Sequence, residues 1–70
     1  MKTQRGDHVR INYLNMTPTG TVIDYRWDEE DELPLAVIRL DTTRQSTVTV
    51  RSGLIIEKTD EVWLNGEAPR

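Results

Sequence analysis

Seventy residues make one domain, and a chain this short buries so modest a share of its surface that its stability rests on a small core. It has no cysteine and one histidine, which removes disulfide staples, makes a structural zinc site untenable and points to a cytoplasmic protein. The net charge is −3, with 12 acidic residues against 9 basic ones, so the overall basic excess that drives general phosphate-backbone binding is absent.

Met1 to Asp7 is polar with no apolar stretch behind it, so no signal peptide is expected, and residues 1–5 read as an N-terminal tail. From His8 to Tyr13 polar and apolar residues alternate. Val9, Ile11 and Tyr13 point one way, and His8, Arg10 and Asn12 the other, the pattern of a half-buried strand. Asn15 to Thr19 carries Asn, Thr and Pro18, which is loop chemistry. Gly20 then opens a second strand, Thr21 to Trp27. Its alternation breaks in the middle, and a bulge near Ile23 would return Val22 and Tyr25 to one face.

Asp28-Glu29-Glu30-Asp31-Glu32 is an unbroken run of acids whose mutual repulsion predicts a solvated, mobile loop. It lacks the alternating ligands and central glycine of an EF-hand. Pro34 suits a strand start, where its missing N–H is not needed. Leu35 to Ile38 is the longest apolar run in the chain, far too short for a membrane helix. Leu35 to Asp41 and Thr47 to Arg51 predict a hairpin around Thr43-Arg44-Gln45, pairing Ile38 with Val50 and Leu40 with Val48. That register puts Arg39 beside Thr49 and Asp41 beside Thr47 on the opposite face. Ser52-Gly53 breaks the strand, and Leu54-Ile55-Ile56 forms a short last strand ending at Glu57-Lys58. Residues 59–70 read as a C-terminal extension, with a turn at Asn65-Gly66, Trp63 as a packing plug and a frayed end from Glu67 to Arg70.

Gly6-Asp7-His8-Val9-Arg10-Ile11, then Gly20-Thr21-Val22, then the Leu35 to Arg51 hairpin and Ser52-Gly53-Leu54 together resemble an SH3-like small barrel of the KOW type. The resemblance covers about residues 5 to 58 and implies an all-β, five-stranded SH3-like barrel over residues 6–58, with a short C-terminal extension. KOW domains usually hold another glycine soon after the first strand and are often basic. This chain has neither feature, which counts against carrying over their RNA binding. The layout is also similar to the accessory subunit of photosystem I that docks ferredoxin and to the variable subunit of ferredoxin–thioredoxin reductase. It resembles plasmid-type dihydrofolate reductases too, but Thr47-Val48-Thr49-Val50 stands where those enzymes carry Val-Gln-Ile-Tyr, so an oligomeric reductase is the weakest reading.

No nucleophile motif accompanies His8, and its outward position predicts an ordinary surface histidine. The aromatics are Tyr13, Tyr25, Trp27 and Trp63, with no phenylalanine. Tyr25 reads as core. Trp27 adjoins the acidic loop and is divided between core and surface. Aromatic rings beside a loop line the groove of many SH3-like barrels and are enriched at binding hot spots. The leading expectation is therefore a non-catalytic module docking a protein partner through Tyr13, Trp27 and Asp28, Glu29 and Glu30, with the acids steering a basic segment. Nucleic-acid binding through Arg39 and Arg51, on adjacent strands with Thr47 and Thr49 between them, is the alternative. Arg10 and Arg26 are also expected to face outward, pairing with surface acids such as Asp24 or Asp41. No metal, cofactor or membrane contact is expected. A homodimer joined by an exposed strand edge is the assembly the sequence allows.

Overall fold

The computed structural model describes residues 2–42 and 46–62. The chain forms five strands, β1 (His8–Ile11), β2 (Thr19–Asp28), β3 (Leu33–Leu40), β4 (Thr47–Arg51) and β5 (Ile55–Lys58), with a 3-10 turn at Ser52–Leu54. All pairings are antiparallel, in one sheet of order β4-β3-β2-β1-β5. The protein is all-β, as expected. The sheet is not closed into the expected barrel, because no ladder joins its two edge strands, β4 and β5. Among the described residues no helix is long and apolar enough to cross a membrane. The expectations for Thr43-Arg44-Gln45, Trp63, Asn65-Gly66 and the chain end fall outside the described residues.

In β1 the expected alternation holds: Val9 and Ile11 are fully buried, while His8 and Arg10 are half-buried. The strand ends at Ile11 rather than at Tyr13 because the chain reverses earlier than expected. Leu14 (φ 51) and Asn15 (φ 64) both lie in the left-handed region, and Tyr13 and Met16 exchange two backbone hydrogen bonds of 2.9 Å. This two-residue turn suits Asn-Gly, and a leucine there is strained, with its side chain 76% exposed. Replacing Leu14-Asn15 by Asn-Gly is expected to stabilise the protein by about 1 kcal/mol, a rise of roughly 4–8 °C in Tm. A thermal melt with an unchanged or lower midpoint would contradict this account of the turn.

Between β2 and β3 the register runs Thr21↔Arg39 and Val22↔Ile38, then resumes at Asp24↔Val37 and Tyr25↔Ala36, so Ile23 is the extra, bulged residue that the broken alternation predicts. Val22 and Tyr25 share the inner face. The acidic run forms a short turn, and Glu29 to Glu32 are exposed to solvent as their charge predicts. Asp28 still belongs to β2, pairing with Leu33. Its Oδ1 accepts the backbone N–H groups of Glu30 at 3.0 Å and Asp31 at 3.3 Å, and Glu32 (φ 52) completes a tight turn. Local side-chain capping of the backbone offsets the repulsion, and the remaining carboxylates stay in water.

The β3–β4 register is two residues from the expected one. Ile38 pairs with Val48 and Ala36 with Val50, while Arg39 faces Thr47 and Val37 faces Thr49. Because side chains alternate with a period of two, a slip of two leaves every residue on its expected face, and alternation alone does not separate the two registers. Asp41 does not pair with Thr47. Its N–H donates instead to the Thr19 carbonyl at 2.9 Å, and the Leu40 N–H to Ser46 at 2.8 Å.

The core is Val9, Ile11, Val22, Ala36, Ile38, Leu40 and Val50, rimmed by Tyr13, Tyr25, Val48 and Ile55. The N-terminal segment lies against β2. Gly6 donates to the Val22 carbonyl at 2.7 Å, Val22 to that of Asp7 at 2.9 Å, and the hydroxyls of Thr3 and Tyr25 are hydrogen-bonded. The 3-10 turn delays β5 to Ile55, and a register shift against Arg10 and Ile11 leaves Ile56 exposed.

Candidate functional site

Two clusters of chemistry stand out. The first is at the β2–β3 turn. Trp27 pairs with Pro34, one step along the inner face from the Tyr25–Ala36 pair. Leu35↔Arg51 is the last β3–β4 pair, so β2 and β3 run on beyond β4 and beyond the core. Among the described residues the buried core does not extend to the indole, and Trp27 is 58% exposed. Asp28 is half-buried beside it, and Glu29, Glu30, Asp31 and Glu32 are exposed. Asp31 meets Arg51 at 3.6 Å, and Arg26 meets Asp24 at 3.9 Å on the outer face. Surface pairs of this kind contribute little to stability, so the turn keeps a strongly negative field.

The other expected site residues are dispersed. Tyr13 stands at the start of the β1–β2 turn, half-buried against the core. Arg39 and Arg51 do share the outer face, but the register places the Val37–Thr49 pair between them. Four strand residues and one strand spacing put their Cα atoms about 14 Å apart.

The second cluster was not anticipated. His8 is not an ordinary surface residue: only 25% of its side chain is exposed, and both ring nitrogens are engaged. Nδ1 lies 2.7 Å from the Thr59 carbonyl, and Nε2 is hydrogen-bonded to Asp41 Oδ2. The same Oδ2 accepts the hydroxyl of the fully buried Thr19 at 2.8 Å. Burial pulls the imidazole toward neutrality. The Thr59 carbonyl, the Asp41 carboxylate and the charges of Asp41 and Asp60 outweigh it and hold the histidine above its ordinary pKa. Arg10, also expected on the open surface, is largely covered and reaches Glu57 at 3.2 Å and Glu61 at 3.0 Å. Lys58 meets Asp7 at 3.4 Å. The Asp7 carboxyl is held below the usual range first by the Gln4 backbone N–H and, against some burial, by Lys58.

No family model, curated protein or solved structure matches this chain.

The histidine cluster has the members of a hydrolytic triad in the wrong order. The carboxylate, not the imidazole, accepts the hydrogen bond of the Thr19 hydroxyl, so the hydrogen-bond order differs from that of a nucleophile–imidazole–carboxylate triad. The pairing does fasten four chain segments: the start of β1, the start of β2, the residue after β3 and the residue after β5. Nothing local in the sequence marks it, since His8 and Asp41 lie 33 residues apart and meet only through the exit of the chain from β3. The Trp27 cluster was legible because the ring and the acids are neighbours in the chain.

Proposed function

We propose that this protein is a non-catalytic binding module that docks a basic, extended segment of a protein partner on Trp27 and the 28–32 turn. The observation that carries the reading is a large aromatic ring more than half exposed at the end of the β2–β3 ribbon, with five consecutive carboxylates at its edge. A lysine or arginine side chain would lie over the indole face while the carboxylates attract its charge. Such a contact is worth about 0.5–1 kcal/mol in the open and roughly 2 kcal/mol once water is excluded. The acids would act at longer range, raising the association rate in a salt-dependent way. The strand order and the 3-10 turn before the last strand support an SH3-like reading of the sheet, in which loops at one end form the docking surface.

The test is a Trp27→Ala variant with arginine- and lysine-rich peptides as probes, and a pull-down from the source cell. Because the ring buries little, the variant should unfold within about 0.5 kcal/mol of the parent. Peptide affinity should fall at least tenfold, and rising salt should weaken the parent complex. A variant that melts would make Trp27 a structural residue. A parent that ignores basic peptides at low salt would remove the reading.

A further inference from the structure

We propose that His8 is a pH-operated latch: protonated, it ties the residue after β5 and the residue after β3 to the start of β1, and on losing its proton it releases the β5 side.

Hydrogen-bond chemistry carries the argument. A backbone carbonyl can only accept, so the contact of Nδ1 with Thr59 requires a proton on that nitrogen. Asp41 Oδ2 already accepts the Thr19 hydroxyl, the arrangement of an ionised carboxylate, so Nε2 must donate as well. Both contacts are satisfied together only by the imidazolium. A neutral ring has one N–H and must turn a lone pair toward the other acceptor. The bond to the charged carboxylate is about twice as strong as one to a neutral carbonyl. The remaining proton therefore stays on Nε2, and the Thr59 contact is the one lost. That contact is half of a reciprocal pair, since the Thr59 N–H donates to the His8 carbonyl at 3.0 Å.

The surroundings favour the closed form. Asp7 precedes the histidine, and Arg10 follows it in β1. Asp41 comes from the end of β3, and Glu57, Lys58, Asp60 and Glu61 from β5 and beyond. From β2 there are only the hydroxyls of Thr19 and Thr21. Acids outnumber bases in this shell, so a proton on His8 is favoured even after Asp7 and Lys58 pair and Arg10 takes Glu57 and Glu61. The sign follows: a histidine whose pKa is raised by folding contributes stability that is complete below about 6.5 and fades as pH climbs through the folded value. The latch opens on the alkaline side.

His8 is the only histidine, so its ring proton resonances identify themselves in an NMR titration of the whole protein. The ring should titrate with a midpoint above 6.5. Across that midpoint Thr59 amide protection, corrected for intrinsic exchange, should fall about tenfold, the loss of one hydrogen bond. The Ile11 amide, bonded to the Pro18 carbonyl at 3.0 Å, should stay level. Asp41→Asn should lower the midpoint, and His8→Gln should make Thr59 protection independent of pH. A parent midpoint at or below 6.5, or Thr59 protection that does not change through the titration, overturns the latch without recourse to either variant.

Discussion

Ile38→Ala is expected to remove about 2–5 kcal/mol, a large share of the stability that a domain of this size holds. Ile38 is fully buried and sits where the sheet is fully stacked, between Val22 on β2 and Val48 on β4. The other core residues are mostly valine, leucine and alanine, and no phenylalanine stands by to fill a hole. A lost isoleucine side chain therefore leaves a cavity that short neighbours cannot reach across. At roughly 0.05–0.15 kcal/mol per residue the whole domain commands only about 3.5–10 kcal/mol. Ile38→Val keeps both branches at Cβ and should cost about 1 kcal/mol. Urea unfolding of the three proteins checks this. The expected result is a large drop in midpoint for the alanine variant with an unchanged slope. A loss under about 1 kcal/mol for Ile38→Ala would mean that the core is not centred there.

The parts of the fold that the sequence makes legible are those that side-chain periodicity encodes. Val9 and Ile11 alternate with polar residues, and both are buried. The break in β2 between Val22 and Tyr25 has one economical explanation, a bulge, and Ile23 is that bulge. Periodicity is silent on slips of two: it allows Ile38 opposite Val50 as readily as opposite Val48, where Ile38 stands. What separates those registers is the path of the chain beyond Leu40, where Asp41 leaves the ladder for Thr19 and His8. The same blindness hid the histidine cluster, because no pattern within one strand predicts which acid a distant connection delivers. Composition gave only part of the 28–32 turn. Charge density argues for a solvated loop, and Glu29 to Glu32 are exposed, but it does not register that Asp28 caps its own turn. The sequence leaves Trp27 divided between core and surface because its exposure depends on where β4 stops, and β4 stops one pair short of it.

Gly20→Ala is the second change expected to damage the fold severely, for a reason unrelated to lost burial. An added Cβ would lie 2.6 Å from the Arg39 carbonyl oxygen and 2.7 Å from Ile38 Cγ2. Gly20 pairs with Leu40 on one side and Val9 on the other, so β2 cannot yield toward either neighbour without straining a ladder. Overpacking of this kind costs about 1–3 kcal/mol, and more where backbone must move. The two contacts are separable. Ile38→Ala deletes Cγ2 and leaves the carbonyl in place, so in the double variant the two losses should combine less than additively. The double variant should nevertheless remain less stable than Ile38→Ala alone by about 1 kcal/mol or more, since the main-chain oxygen still stands in the way. Equal unfolding midpoints for Ile38→Ala and Gly20→Ala/Ile38→Ala would show that the side chain, not the close approach of the two backbones, is what reserves position 20 for glycine.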